Sequence, residues 1–284
     1  MGAVIIDGRG MADEILGQVK KRTLALNSKG ILPHLAVIIA GEDPASQVYV
    51  RNKEKACADC GIVSTIINLP VSSRLEDVIK VIDDLNGDDS IHGILVQSPA
   101  PGGIDEIEIA RNISRTKDVD GFHPENLGGL VQGVRGGLVP CTPSGVMRML
   151  EISGADIEGS RALVIGRSRI VGMPMSLMLA QKGADATVTI AHSMTPEIGS
   201  LCREADILVS AIGKAGFVKP DWVKPGSFLI DVGISRTPDG KIVGDFSPGV
   251  FDVAGWVTPV PGGVGPMTIA MLMENTVIAA EKEN

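Results

Sequence analysis

The chain of 284 residues contains few aromatic residues: Phe, Trp and Tyr together make up 3% of it, and Tyr49 is the single tyrosine. Positive charge is also scarce, because 26 Lys and Arg stand against 34 Asp and Glu and no basic cluster is longer than Lys20-Lys21-Arg22. Binding to nucleic acid or to an anionic membrane needs concentrated positive charge, so we expect neither partner. The 35 glycines and 17 prolines favour an aliphatic core with many tight turns.

Long apolar runs are absent as well. No uncharged apolar run approaches the roughly 20 residues that cross a bilayer, and Leu35 to Gly41, among the longest, has the length of a strand. The amino terminus reaches an acid and an arginine within nine residues, which is unlike a secretory signal. We therefore expect a cytoplasmic protein.

Cysteine and histidine are too sparse to suggest a metal centre. Cys57 and Cys60 form one Cys-x-x-Cys pair, but no second pair or histidine follows at zinc-like spacing, so we expect a structural role in a helix and no metal. The sequence contains no Gly-x-Ser-x-Gly elbow, which argues against a hydrolase triad at Ser168 or Ser193.

Short apolar runs alternate with segments of helical period, which is typical of βαβ units and a parallel sheet. The pattern predicts an α/β fold of two domains. Residues 116–143 are rich in Gly and Pro, and this composition indicates a domain boundary or a functional loop. We predict a first domain over 1–121, completed by a C-terminal helix at 267–284, and a second, Rossmann-like dinucleotide-binding domain over 122–266.

The elements predicted in the first domain are strands 35–41, 63–69 and 93–97 and helices 46–60, 75–85 and 105–113. Those predicted in the second are strands 162–165, 187–190, 206–211 and 228–232 and helix 174–182, and a last helix covers 267–281.

A glycine turn joins the strand 162–165 to the next helix, in the sequence Gly166-Arg-Ser-Arg-Ile-Val-Gly172-Met-Pro174. Backbone N–H groups at such a turn can bind a phosphate, although Ser168 replaces the middle glycine of Gly-x-Gly-x-x-Gly. The alternative is a turn that only packs a helix on a sheet. The following strand ends at His192 and Ser193 with no acid to bind a ribose 2′-hydroxyl, and Arg167 lies nearby, which favours NADP over NAD.

Tyr49 and Lys53 are spaced i, i+4 on a predicted helix, so the phenol and the ammonium share one face. A partly buried lysine with a lowered pKa can transfer protons, and an adjacent ring can stack on a flat substrate. A surface lysine beside an amphipathic tyrosine is the alternative. Gln97 ends a predicted strand and could orient the lysine. Asp120 could pair with an amino-pyrimidine edge or could form an Asx turn before Gly121.

Four motifs in this order resemble the bifunctional methylenetetrahydrofolate dehydrogenase/cyclohydrolase family over residues 4 to 282. They are Tyr49-Val-x-x-Lys53, Asp118-Val-Asp-Gly-Phe122, Gly166-Arg-Ser-x-Ile-Val-Gly-x-Pro174 and Pro259-Val-Pro-Gly-Gly-Val-Gly-Pro-Met-Thr268.

The resemblance implies a homodimer of two-domain protomers that binds a folate substrate in an interdomain cleft and NADP on the second domain. It implies NADP-dependent oxidation of 5,10-methylenetetrahydrofolate to the methenyl form, followed by hydrolysis to 10-formyltetrahydrofolate, as in one-carbon metabolism and purine biosynthesis. No metal is needed. The alternatives are a dehydrogenase without cyclohydrolase activity and a non-catalytic NADP- or folate-binding protein.

By the same resemblance Lys53 would manage protons in the hydrolysis, Gln97 would hold Lys53, Tyr49 would stack on the aminobenzoyl group and Asp120 would anchor the pterin. Further substrate contacts would come from Val96, Ser98, Pro261, Gly262 and Gly263, and NADP contacts from Gly166, Arg167, Ser168, His192, Ser193 and Ile234. Many members carry leucines where this chain has Ser98 and Ala100, so we expect a wider or wetter pocket wall there.

Overall fold

Helices alternate with mostly parallel strands along the whole chain. The computed structural model describes residues 2–41, 44–100, 103–134 and 136–282. In order the elements are β1 (Val4–Ile5), α1 (Gly8–Asn27), β2 (His34–Ala40), α2 (Pro44–Cys60), β3 (Val63–Leu69), α3 (Leu75–Asn86), β4 (Gly93–Val96), α4 (Glu106–Asn112), α5 (Pro124–Gln132), α6 (Cys141–Ile152), β5 (Arg161–Ile165), α7 (Gly172–Ala180), β6 (Thr187–Ala191), α8 (Ile198–Glu204), β7 (Ile207–Ser210), β8 (Phe228–Asp231), β9 (Ser235–Arg236), β10 (Ile242–Val243), β11 (Trp256–Val257) and α9 (Val264–Lys282).

The first of two compact units comprises Asp13–Cys141 with Ile269–Asn284. Its parallel sheet has the order β3-β2-β4. The central strand β2 is a continuous apolar run because both of its faces are covered, as in other parallel sheets. On one face α3 and α4 bury a cluster of aliphatic side chains that includes Ile38, Val78, Ile82 and Ile109.

The second unit comprises Met1–Ala12 with Thr142–Thr268. Its sheet has six strands in the order β1-β11-β8-β7-β5-β6, and all neighbouring pairs are parallel. The next strand along the chain, β6, pairs with one side of β5, and the strand after it, β7, pairs with the other side. The edge beside the carboxyl end of β5 is therefore a topological switch point, where open α/β sheets bind ligands.

The structure confirms the predicted α/β class with its Rossmann-like second half. Each predicted strand and helix is present within a few residues of its predicted bounds. Sequence periodicity missed α1, α6, α8 and several two-residue strands. It also missed α5, which crosses the Gly- and Pro-rich segment predicted as a boundary or loop.

Helix α5 forms because its ends are capped. Pro124 stands at its start, the His123 Nδ1 accepts a hydrogen bond from the Glu125 N–H over 3.1 Å, and Gly133 closes the helix with a φ of 68°. Two internal glycines give the segment low helix propensity, which hid the helix from the sequence pattern.

The bounds of the two units differ from those of the predicted domains. Residues 122–141 group with the first unit and residues up to Ala12 with the second, and the division falls inside helices α1, α6 and α9. Among the described residues, no helix is long and apolar enough to span a membrane. The same residues contain no group of three His, Cys, Asp or Glu side chains placed to hold a metal ion.

Candidate active site

Lys53 and Gln97 are joined by a hydrogen bond at the carboxyl edge of the first sheet. Lys53 lies on α2, and its Nζ donates to the Gln97 Oε1 over 2.9 Å. Gln97 follows β4 directly, and its backbone N–H donates to the Ile38 carbonyl. The pairing of β4 with β2 therefore fixes where the Gln97 side chain begins. The other end of the amide donates from Nε2 to the Ser98 carbonyl over 2.8 Å, which leaves Oε1 facing the lysine.

The charges around Lys53 suit a group that exchanges protons. Burial lowers the pKa of Lys53, and attraction to the Asp120 carboxylate offsets part of that effect. Burial also raises the pKa of Asp120, which Lys53 lowers and the Glu106 carboxylate raises. A lysine with a lowered pKa carries more of the neutral amine near pH 7 and can act as a base.

Tyr49 lies one turn before Lys53 on α2, and 43% of its surface is exposed. A phenol ring with this exposure is free to stack on a flat ligand. Val96 is the last residue of β4, and Ser98 follows Gln97. The Ser98 hydroxyl donates to the Glu106 carboxylate at the start of α4, so an acid lies beside this edge of the sheet.

A buried carboxylate that sequence reasoning passed over holds the loop around Asp120. Asp118 is 2% exposed and accepts hydrogen bonds from the N–H groups of Phe122 and His123 and from the Asn126 amide, at 2.8–3.1 Å. Burial raises the pKa of Asp118 to about 7, although all three donors lower it. The motif that contains Asp120 thus has an anchor of its own.

Asn275 on α9 is a second positioning residue that the sequence did not indicate. Its side-chain Nδ2 donates to the Val119 carbonyl over 2.8 Å and to the Val139 carbonyl over 2.9 Å. Gly121, with a φ of 77°, lets the Val139–Pro140 backbone approach, because a Cβ there would lie 2.3 Å from the Val139 carbonyl carbon. One clue was available: a lone asparagine within an apolar helix, where a buried amide requires partners.

The two cysteines of α2 fit the structural role expected of them. Cys57 and Cys60 are free and buried on α2, and burial raises the pKa of their thiols to about 12 and about 11. Protonated thiols of this kind are poor metal ligands and nucleophiles.

In the second unit the Gly166–Gly172 segment forms a tight turn after β5. Gly166 has a φ of 115°, and a Cβ on Gly172 would lie 2.2 Å from the Gly166 carbonyl oxygen, so side chains are excluded at this contact. The Ser168 Oγ accepts from the N–H groups of Val171 and Gly172 at 3.2 and 3.3 Å. The side chains of Arg167 and Ser168 are exposed.

The carboxyl end of β6 turns sharply at His192. Its N–H donates to the Thr195 Oγ1 over 2.9 Å, and its Nδ1 accepts from the Met194 N–H over 3.2 Å. Ser193 is exposed at the tip of this turn, and Ile234, after β8, is 50% exposed. The predicted NADP residues thus follow three strands of one sheet, at the edge that the topology marks for a ligand.

The structure divides the predicted site residues between the two units. Lys53, Gln97 and Asp120 come together in the first unit, and Tyr49, Val96 and Ser98 belong to it too. The predicted substrate residues Pro261, Gly262 and Gly263 belong to the second unit. There a Cβ on Gly263 would lie 2.6 Å from the Pro259 carbonyl oxygen, which explains the glycine.

Comparison with known proteins assigns both parts of the chain. Residues 6–120 match the catalytic domain of tetrahydrofolate dehydrogenase/cyclohydrolase, and residues 140–284 match the NAD(P)-binding domain of the same family. The bifunctional protein FolD of Moorella thermoacetica is 50% identical over 283 residues, covering 99% of this chain and all of that protein.

Two solved structures show the same relationship. The bifunctional FolD enzyme of Campylobacter jejuni, a methylenetetrahydrofolate dehydrogenase/cyclohydrolase, has a TM-score of 0.96 at 45% identity, covering 99% of this chain and 100% of that one. The Trypanosoma brucei dehydrogenase-cyclohydrolase, solved with NADP cofactor and an inhibitor, has a TM-score of 0.94 at 39% identity, covering 99% and 98%.

Proposed function

The chain belongs to the tetrahydrofolate dehydrogenase/cyclohydrolase family, and from this premise we propose which of its residues perform the two reactions. The dehydrogenase oxidises 5,10-methylenetetrahydrofolate to the 5,10-methenyl cation with NADP. The cyclohydrolase adds water to the methenyl carbon and yields 10-formyltetrahydrofolate. The hydrogen bond between Lys53 and Gln97 is the observation that carries the assignment of the second reaction.

In the hydrolysis Lys53 acts as the base. Its neutral amine takes one proton from the water that attacks the methenyl carbon, and the resulting ammonium returns that proton to N5 as the carbon–N5 bond breaks. The hydroxyl of the adduct loses its remaining proton to solvent and becomes the formyl carbonyl. The formyl group then stays on N10. Gln97 keeps the Lys53 nitrogen in place in both protonation states, since its Oε1 accepts from an amine and from an ammonium alike.

Asp120 and Tyr49 bind the folate. A carboxylate can accept two hydrogen bonds from the amino-pyrimidine edge of a pterin, and Asp120 is held on a loop that Asp118 and Asn275 anchor. Tyr49 stacks on the aminobenzoyl ring. Asp120 also stabilises the ammonium form of Lys53 by charge attraction, so substrate binding and proton transfer share one carboxylate.

The second unit fits NADP. The backbone contact between Gly172 and Gly166 holds the β5–α7 turn close to the carboxyl end of β5, where a strand-to-helix turn of a dinucleotide-binding sheet binds phosphate. Arg167 and Ser193 bind the 2′-phosphate, and His192 and Ile234 lie at neighbouring strand ends. When bound, NADP accepts the hydride from the methylene carbon of the folate. The substrate nitrogens delocalise the positive charge that results.

A stopped-flow assay with 5,10-methylenetetrahydrofolate and NADP tests the proposal, following NADPH and the methenyl intermediate together. NADPH with only transient methenyl absorbance is the expected result. Methenyl that builds up to the level set by uncatalysed hydrolysis would leave a dehydrogenase alone and refute the role of Lys53. No NADPH with NADP or NAD would make the chain a non-catalytic binding protein.

The domain roles follow from the same assignment. The first unit, which holds Lys53, binds folate, and the second unit, which holds the Gly166–Gly172 turn, binds NADP. The cytoplasmic location and the homodimeric state also belong to this proposal and rest on the family relationship. Light scattering of the purified chain tests the dimer, and a monomer mass at micromolar concentration would contradict it.

A further inference from the structure

Asp231 and Asp245 are two buried carboxylates of the second unit that the mechanism above does not use. They are 4% and 0% exposed. Asp231 is the last residue of β8, and Asp245 follows β10. Their oxygens accept six hydrogen bonds of 2.6–3.0 Å. The donors to Asp231 are the N–H groups of Gly233, Asp245 and Phe246, and the donors to Asp245 are the N–H groups of Ile212 and Lys214 and the Ser210 hydroxyl.

Glycines make room for each carboxylate. A Cβ on Gly233 would lie 2.1 Å from the Asp245 Oδ1, and a Cβ on Gly244 would lie 2.0 Å from the Asp231 Oδ2. Asp245 therefore packs against Gly233, which lies two residues after Asp231. In the same way, Asp231 packs against Gly244, which directly precedes Asp245. A side chain at either glycine would displace a carboxylate, so the arrangement depends on all four residues.

The two carboxylates hold the loops that follow β7 and β8. Asp245 holds the β7 loop through Ile212 and Lys214, and Asp231 holds the β8 loop through Gly233. The Ser235 hydroxyl, which donates to the Gly213 carbonyl over 2.9 Å, ties the two loops together. Both loops leave the carboxyl edge of the sheet where the dinucleotide is placed above.

We infer that Asp245, supported by Asp231, is a positioning residue for the nicotinamide dinucleotide, because Asp245 fixes the loop backbone after β7 and Asp231 fixes the loop backbone after β8. The inference rests on the proposed NADP site. Only a carboxylate meets the requirement. An asparagine offers one acceptor oxygen, and its NH₂ would face an N–H or O–H donor in either orientation.

The test measures NADP binding and both activities in Asp245→Asn and in the milder Ser210→Ala, which removes a single donor. Asp206→Asn is the matched control, because Asp206 precedes β7 at the opposite end of that strand and bonds to Arg161 and Lys224. In D245N we expect the NADP dissociation constant and KM to rise about tenfold. We expect cyclohydrolase kcat/KM with methenyltetrahydrofolate to stay within about twofold of the wild type, and S210A to show a smaller rise in NADP KM.

An unchanged NADP dissociation constant in D245N would overturn the inference. So would an equal loss of both activities, since that pattern reports general destabilisation, or an equally weak NADP affinity in D206N. These results are distinct from failure of the proposed function itself. In that case the wild-type chain would neither bind NADP nor form NADPH.

Discussion

At the scale of single residues, the environment of Lys53 determines what its amine can do. A lysine on an exposed helix face is an ammonium at neutral pH, whereas burial lowers the pKa of this one and Gln97 fixes its nitrogen. A lowered pKa increases the fraction of Lys53 that is a neutral amine near pH 7. Because nearby charges also shift this pKa, substitutions that change them should move the pH profile of the reaction.

Replacing Lys53 by methionine should reduce the cyclohydrolase kcat by about 10²-fold or more, since a positioned general base contributes that much. NADP binding should not change, because the proposed cofactor residues belong to the second unit. Lys55→Met, an exposed position two residues along α2, is the matched control and should keep both activities. Unchanged hydrolysis in K53M would remove Lys53 from the mechanism.

The pH profile of the hydrolysis should move in opposite directions in two variants. In the proposed mechanism the base is the neutral amine, so the rate should rise with pH to a plateau. The midpoint of the rise is the pKa of Lys53, which burial lowers from its ordinary value. Gln97→Glu adds a negative charge beside the ammonium and should move the midpoint to higher pH. Asp120→Asn removes a charge that raises this pKa and should move the midpoint lower. Shifts of equal sign would show that another group titrates.

At the scale of elements, the loops after the strands are held by buried polar side chains. Asn275 on α9 satisfies two carbonyls, 156 and 136 residues earlier in the chain. Asp118 accepts hydrogen bonds from the N–H groups of Phe122 and His123, in the turn that leads into α5. Such contacts determine where Asp120 lies more directly than the helix and strand propensities around it do.

Asn275→Ala should lower the free energy of unfolding by about 2 kcal/mol, because the Val119 and Val139 carbonyls lose a buried donor. The folate KM should rise as well, since Val119 precedes Asp120. Urea unfolding and steady-state kinetics measure the two effects. Asn52→Ala on the exposed side of α2 is the control and should change stability by less than about 0.5 kcal/mol. A variant as stable as the wild type would show that water replaces the amide.

Two glycines should respond in opposite ways to alanine. Gly17 lies exposed within α1, and a Cβ added there would meet nothing within 4 Å, so Gly17→Ala should stabilise the protein by about 0.5–1 kcal/mol. Gly172→Ala places its Cβ 2.2 Å from the Gly166 carbonyl oxygen and should raise the NADP KM. Thermal unfolding and NADP kinetics compare the variants, and an undisturbed NADP KM in G172A would contradict the role of this turn in NADP binding.

At the scale of the whole molecule, both tryptophans, Trp222 and Trp256, belong to the second unit. Tryptophan fluorescence therefore reports the unfolding of the unit assigned to NADP. At a concentration 100 times its dissociation constant, NADP should stabilise that unit by about 2.7 kcal/mol and raise the urea midpoint. NAD at the same concentration should shift the midpoint less, because it lacks the 2′-phosphate that Arg167 is proposed to bind. An equal shift with NAD would contradict the roles of Arg167 and Ser193.

The sequence determined the parts of this protein that depend on short-range pattern. Apolar runs and helical periods predicted the parallel α/β fold, and four motifs placed Lys53, Asp120 and the Gly166–Gly172 turn in one family. The strand ends then followed, because residues after parallel strands meet at one edge of their sheet. Helix α5 escaped this reasoning since its capping residues outweigh a poor helical composition.

Only the tertiary structure decided what the buried polar groups do. Nothing near Asn275 or Asp245 in the sequence indicates its carbonyl or N–H partners, because those partners come from distant segments. A buried polar group requires a hydrogen-bond partner, and burial is a property of the folded chain that the local sequence does not show. The lowered pKa of Lys53 has the same origin: desolvation exists only once the surrounding elements have packed.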